Sequence, residues 1–219
     1  MEIERFRPTR TVVNAVPTVF FLARHEQRKG LAVLLEAMSG VSAPYRFIVG
    51  GQGPATATLC SQYAGDSRIE WLGEIDDDEK IRQMQEADVF CAPSLHGESF
   101  GIVLLEAMAA ETCVVASSLS GYRKVIECDD GRRAGTLVEP GDVRALRERI
   151  EGLLSSAYAR RQLVEIGCER VANFSMERLA DLYTDAYLRV FEGDHPNLNR
   201  GEARRRNDRP IMNAPRRLR

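Results

Sequence analysis

From Pro17 onward the chain alternates short, nearly continuous apolar runs with segments of helical periodicity. The apolar runs are TVFFLA (18–23), YRFIVG (45–50), RIEWLG (68–73), ADVFCAP (87–93), TCVVAS (112–117) and AGTLVEP (134–140). Helical spacing fills 30–39, 54–65, 77–86 and 99–110, with a short turn near 121–127. Strand then helix, repeated, predicts βαβ units and a parallel sheet. Runs that stay apolar instead of alternating predict a sheet covered on both faces. The fold class expected is therefore α/β, a single Rossmann-like, doubly wound parallel sheet. After Pro140 the pattern is wholly helical, with apolar stripes at Leu146, Ile150 and Leu153 and at Leu179, Leu182, Tyr183, Ala186, Tyr187 and Val190. Asp142 and Ser175 are the N-caps expected for those helices. The partition this predicts is a linker-like segment over 1–16, a domain over 17–192 and a tail over 193–219.

At 219 residues and 44% hydrophobic, the chain is long enough to bury a core. Its net charge of −2 hides an asymmetry, because residues 193–219 hold eight Arg, no Lys and three acids, leaving the rest at −7. That tail has three prolines and no periodicity, so disorder is expected of it. It reads either as a solvated extension or as an anchor to an anionic membrane surface. The acidic body argues against nucleic acid as a partner. No apolar run approaches the roughly 20 residues of a membrane span, and Met1 is followed by EIERFRPTR, which is no signal core. The five cysteines are scattered, with no C-x-x-C pair, and read as reduced thiols. Together these features predict a cytoplasmic protein, peripheral at the inner face of the cell membrane if the tail binds lipid.

Ligands of open parallel sheets bind beyond the carboxyl ends of the strands. Here those ends carry Arg24 to Gly30, then Gly50, Gly51 and Gly53, then Pro93 to Gly101. Gly97, Glu98, Ser99 and Gly101 lead into the helix IVLLEAMAA, whose N-terminus offers unpaired N–H groups and partial positive charge to an anion such as phosphate. Glu106 is the sole charge in that apolar helix and needs a strong partner, either sugar hydroxyls or a buried Arg or Lys. Glu98 and Glu106 lie eight positions apart, about 12 Å along a helix, so one ligand with hydroxyls on both sides of a diphosphate could meet both. Arg24 and Lys29 would face the diphosphate, Arg as a fork and Lys as a mobile point charge. The glycines at 50, 51 and 53 either make a turn or let a nucleotide approach. His25 and His96 read as solvated loop residues rather than acids or bases. The pieces describe a nucleotide-sugar site.

The same residues carry a family resemblance. GESFGIVLLE (97–106) resembles the E-x7-E motif of the retaining family 4 glycosyltransferases of the GT-B fold, and ARHEQRKG (23–30) their G-R-x-x-x-x-K-G loop. With ADVFCAP and AAETCVVAS flanking the motif, the resemblance covers roughly residues 2–192 and is strongest to the actinobacterial phosphatidylinositol α-mannosyltransferase group. It implies the C-terminal, donor-binding half of a GT-B fold. It also implies a sugar contact for Glu98, a ribose contact for Glu106 and stabilisation of the leaving diphosphate by Arg24 and Lys29. The backbone N–H groups of Ser99, Phe100, Gly101 and Ile102 would cap phosphate, and the base would rest near Leu72 and Ile75. No metal or other cofactor is implied, and the substrate favoured is GDP-mannose, although the residues themselves leave GDP and UDP open. Glu111 departs from the family, standing where a Gly ends the motif helix, and Cys113 replaces a common Pro.

EIERFRP resembles the stretch after the interdomain linker of that family, so the acceptor-binding half is expected from a separate domain or chain. Two functions follow. One is a hexosyl or mannosyl transferase donor domain, inactive as an isolated chain. The other is a non-catalytic nucleotide-sugar-binding module or inactive truncated product.

Overall fold

A computed structural model describes residues 3–9 and 14–191. The calls on 10–13 and on the tail over 193–219 lie outside the described residues. Six strands form one sheet: β1 (Thr18–Leu22), β2 (Arg46–Gly50), β3 (Ile69–Gly73), β4 (Val89–Ala92), β5 (Cys113–Ser117) and β6 (Thr136–Val138). Its order is β3-β2-β1-β4-β5-β6, and every pairing is parallel. The helices are α1 (Leu31–Ser39), α2 (Thr56–Gln62), α3 (Asp77–Glu86), α4 (Ile102–Ala109), α5 (Ser120–Ile126), α6 (Val143–Leu154), α7 (Ala157–Ala172) and α8 (Met176–Phe191). The α/β, doubly wound sheet expected from the apolar runs is borne out.

The lack of alternation in the strands has a direct cause. In β1, Val19 and Phe21 join one core with α1, α2 and α6, whereas Phe20 joins a second core with α3, α4 and α5. Phe47 and Val49 of β2 likewise oppose Ile48, and Val89 and Cys91 of β4 oppose Phe90. Side chains still alternate with period two, but both faces are buried, so both must be apolar. Ile3 and Phe6, in the segment ahead of the sheet, are buried in the second core, where Phe6 lies beside Lys80 of α3.

The chain builds β1, β2 and β3 outward and then returns to lay β4 on the other side of β1. The connections after β1 and β4 therefore leave in opposite directions, and a crevice opens beyond their carboxyl ends. Helix ends follow local chemistry. Asp76, Asp142 and Ser156 cap α3, α6 and α7 by accepting the N–H groups of Glu79, Ala145 and Ala159 at 2.8, 2.9 and 3.1 Å.

Three expected boundaries move. The helix expected over 99–110 starts only at Ile102, because Gly97 and Gly101 both hold positive φ (80° and 99°) and keep 97–101 a loop. The helix expected over 54–65 shortens to Thr56–Gln62, and the turn near 121–127 is the helix α5.

The end of α4 is a Schellman turn, with the N–H of Glu111 bonded to Met108 O at 3.1 Å and that of Thr112 to Ala107 O at 3.0 Å. Its left-handed position is occupied by Glu111 at φ 59°, the one non-glycine at positive φ among the described residues. The family departure noted at this position leaves the turn in place, with the cost of a Cβ in left-handed backbone.

Among the described residues, those from Glu177 to Phe191 belong to a second unit. Its helix carries Leu182, Tyr183, Tyr187, Leu188, Val190 and Phe191 as exposed side chains. No helix among the described residues is long and apolar enough to cross a membrane.

Candidate functional site

The crevice is assembled by loops that grip one another through their backbones. After β1, Leu22 is followed by an irregular turn and a single 3-10 turn over Gln27–Lys29. After β4, Pro93 and Ser94 are buried, and Gly97, Ser99 and Phe100 are exposed around the more covered Glu98. Leu95 N–H donates to Arg28 O at 2.7 Å, joining the two loops. Gly30, at φ 72°, passes so close to Pro93 that a Cβ there would sit 2.0 Å from the Pro93 carbonyl oxygen. Only glycine fits that approach.

This juxtaposition puts Lys29 against Glu98, 69 positions on in the sequence, with Nζ 2.5 Å from Oε1. Ser94 Oγ donates to the same oxygen at 3.0 Å, and Arg28 Nη1 lies 3.6 Å from it. Arg28 Nε also donates to Glu26 Oε2 at 2.8 Å, and Glu26 Oε1 pairs with Arg24 at 3.1 Å. Arg24 itself is largely exposed, and Glu98 and Lys29 are mostly covered. Sequence placed Arg24, Lys29 and Glu98 together. It did not anticipate that Glu26 and Glu98 would hold the cations, nor that Arg28 and Ser94 belong to the group.

At the start of α4, Ser99, Phe100 and Ile102 are exposed, and the Phe100 ring meets Phe174 edge-on at 5.8 Å. A Cβ on Gly101 would fall 2.6 Å from the Tyr122 ring, and one on Gly121 would fall 2.4 Å from Glu98 O. The start of α5 thus supports the loop from beneath. Gly97 has open space, with nothing nearer than Arg28 Nη1 at 3.7 Å.

Glu106 realises one of its two expected partnerships. Its Oε1 accepts from Lys80 Nζ of α3 at 3.2 Å, and Lys80 also pairs with Asp77 at 3.1 Å. Burial pulls the Lys80 ammonium down, but hydrogen bonds and charge from Asp77 and Glu106 outweigh it and hold its pKa above the usual lysine value. Lys80 carries no signal in the sequence beyond an i,i+3 pairing with Asp77. Leu72, near the end of β3, and Ile75, in the loop before α3, are half-buried.

Gly50, Gly51 and Gly53 each pack closely against neighbouring chain. Gly51 N–H donates to Gly73 O at 2.6 Å, and at φ 100° its Cβ would strike Ala23 O at 2.0 Å. A Cβ on Gly53 would lie 2.7 Å from His25 N, and Gly50 faces Leu22 and Ile75.

The expectation for His25 is corrected. It is buried, with its ring near Phe21 and Trp71 at 6.1 and 6.0 Å. Among the described residues the partner of Nε2 is the Gly50 carbonyl at 3.3 Å, a pure acceptor, so Nε2 carries the proton and Nδ1 accepts from Thr56 Oγ1 at 2.8 Å. Thr56 Oγ1 in turn accepts Gly53 N–H at 2.9 Å. Desolvation, partly opposed by the Gly50 bond, lowers the His25 pKa below its ordinary 6.5 and keeps the ring neutral. His96 is exposed.

A pocket of about 240 Å³ elsewhere shares no residue with this crevice. It is lined by acids and arginines that pair among themselves, with Arg132 on Asp130 and Glu169 at 2.7 Å each. Its three acids, Asp129, Asp130 and Glu169, outnumber its two arginines, Arg132 and Arg170, so it offers an anion no net positive charge.

A parallel sheet with its crevice at the β1/β4 switch point, cations from the β1 loop and a glycine-bounded helix start after β4 define an open α/β domain of the glycosyltransferase type. The family described as "Glycosyl transferases group 1" matches residues 2–170, and the chain belongs to it. Among its relatives, the phosphatidyl-myo-inositol mannosyltransferase of Mycobacterium leprae is 41% identical over 180 residues, covering 80% of this chain and 46% of the relative. The chain thus spans about half the length of the curated relatives it matches. Among solved structures, the sucrose-phosphate synthase of Thermosynechococcus elongatus superposes with a TM-score of 0.75 at 27% identity, over 88% of this chain and 51% of that one. The Anabaena protein HepE in complex with UDP-glucose shares the fold at TM-score 0.67 and 21% identity, over 84% of this chain and 56% of that one. The resemblance of GESFGIVLLE and ARHEQRKG to GT-B glycosyltransferases is borne out.

Proposed function

We propose that this chain is a donor domain that binds a nucleoside-diphosphate sugar between the β1 and β4 loops for retaining hexosyl transfer to a lipid or glycan acceptor, which a separate domain or chain holds. The observation that carries this reading is the meeting of Lys29, Arg28 and Glu98 in front of the α4 N-terminus. A diphosphate there would take Lys29 and Arg24 together with the N–H groups of Ser99 to Ile102, cations and a helix end doing the work without a metal. Glu98 would accept sugar hydroxyls. Glu106, steadied by Lys80, would accept the ribose, and the base would lie by Leu72 and Ile75. GDP-mannose is the favoured donor because the relative at 41% identity is a mannosyltransferase. Cytoplasmic residence at the inner membrane face fits the eight arginines of 193–219, at about 1 kcal/mol for each basic residue near an anionic surface.

Alone, the chain should bind donor without transferring sugar, because an acceptor held in line supplies a proximity term on the order of 7 kcal/mol or more. One feature favours the second reading, a non-catalytic module: Glu111 keeps a strained turn that glycine would relieve. Titration calorimetry of the full chain with GDP, GDP-mannose, UDP and UDP-glucose in the presence of chelator tests the site. Binding of at least one pair is expected, and Lys29→Ala should weaken it by roughly 1.5–3 kcal/mol, the range for a hydrogen bond to a charged group. Silence with all four ligands overturns the reading.

A further inference from the structure

Glu98 sits at the end of a buried chain of hydroxyls. Ser94 is 2% exposed, on the inner wall of the β4 loop, and its Oγ donates to Glu98 Oε1 at 3.0 Å. Tyr122 is also 2% exposed, at the start of α5, with its hydroxyl 3.1 Å from the same Ser94 Oγ. The direction of the chain follows from the acceptor at its end. A carboxylate supplies no hydrogen, so the Ser94 hydrogen points to Glu98 and the Tyr122 hydroxyl is left as the donor behind it, facing Ser94 Oγ with the Glu98 carboxylate close by. Burial pushes the Tyr122 phenol well above its ordinary pKa, and the nearby Glu98 charge pushes the same way, so it remains a donor at any working pH.

The chain has a consequence for the carboxylate. Lys29, Ser94 and Arg28 all address Oε1, which leaves Oε2 to accept an incoming hydroxyl. Lys29 and Arg28 have long side chains that a diphosphate would draw away. Ser94 and Tyr122 cannot follow, because both are packed in the core and the Tyr122 ring lies against Gly101. When a ligand arrives, they are the donors that stay.

Resting on the donor-site reading, we infer that Ser94 and Tyr122 are positioning residues: a buried Tyr–Ser hydroxyl relay that holds the Glu98 carboxylate in place for the sugar of a nucleotide sugar after the cations have turned to the diphosphate. The relay acts on the sugar half of the ligand and not on the nucleotide half. It predicts a split that general loosening of the fold would not produce.

The test measures the affinity gap between a nucleotide sugar and its free nucleoside diphosphate, GDP-mannose against GDP or UDP-glucose against UDP, whichever pair the wild-type chain binds. Ser94→Ala and Tyr122→Phe each remove one oxygen and keep the packing, and thermal melts report whether each variant is folded. Ser94→Ala should narrow the gap by roughly tenfold, the size of a lost hydrogen bond to a charged group, and Tyr122→Phe by a smaller factor, with affinity for the free diphosphate within about twofold of wild type in both. A gap unchanged in both folded variants overturns the relay, as does an equal loss for sugar and free nucleotide. A wild-type chain that binds neither ligand of either pair overturns the donor-site reading, and the relay falls with it.

Discussion

Two glycine-bearing loops lie at neighbouring strand ends, and Gly51 in one and Gly97 in the other, both at positive φ, are used in opposite ways. In the loop after β2, Gly51 and Gly53 are closed against the β1 loop, where added Cβ atoms would strike Ala23 O at 2.0 Å and His25 N at 2.7 Å. In the loop after β4, Gly97 also has positive φ, yet its side faces open space. Gly51 spends its freedom on packing the protein against itself, whereas Gly97 keeps an open approach beside Glu98 even though Gly101 of the same loop packs on Tyr122. Glycine content alone does not mark a ligand site. What distinguishes the two is whether the missing side chain is replaced by protein atoms or by nothing.

The largest expected effect breaks or upholds this contrast directly. Gly51→Ala adds a clash with backbone to strain at φ 100°, each worth about 1–3 kcal/mol, so its melting temperature should fall by roughly 6–12 °C. Gly97→Ala meets only the left-handed penalty of about 1–2 kcal/mol and should fall by roughly 2–6 °C. Equal losses in calorimetric melts would mean that the two loops are not different in kind. A smaller effect is expected one helix further on, at Glu111, where a left-handed turn lacks its glycine. Glu111→Gly should raise stability by about 1 kcal/mol, read as a shift in the denaturant midpoint, and no gain would place the strain elsewhere.

The smallest effect concerns the link that closes the β2 loop. His25 has a folded-state pKa below its unfolded 6.5, so the unfolded chain binds the extra proton first. Its contribution to stability is therefore fully present above about pH 6.5 and is lost as pH falls toward the folded value. Urea midpoints at pH 7.5 and 5.5 should drop more in the wild type than in His25→Gln, which cannot titrate there. Parallel drops would show that His25 is not the group protonated.

Much of the fold was legible in the chain because its signals are local. Six apolar runs became six strands, and Asp142 capped its helix, since periodicity and capping depend on residues within a few positions of one another. The strand-end placement of Arg24, Lys29 and Glu98 was legible for a related reason: ligand sites of parallel sheets lie where strands end. The true start of α4 was missed because two positive φ values, rather than propensity, set it.

By itself the sequence determined the sheet, its double cover and the charged loops at its carboxyl edge, all consequences of hydrophobic period and local turn chemistry. Tertiary structure alone decided which groups meet: Lys29 on Glu98, Lys80 on Glu106, Tyr122 behind Ser94, and His25 buried rather than solvated. These pairings join residues 25 to 69 positions apart in the chain, or seat a loop side chain under a neighbouring strand. The chain sequence carries no distance between such groups until the strands pair and the helices dock. Only then do burial and proximity choose among partners of similar chemistry.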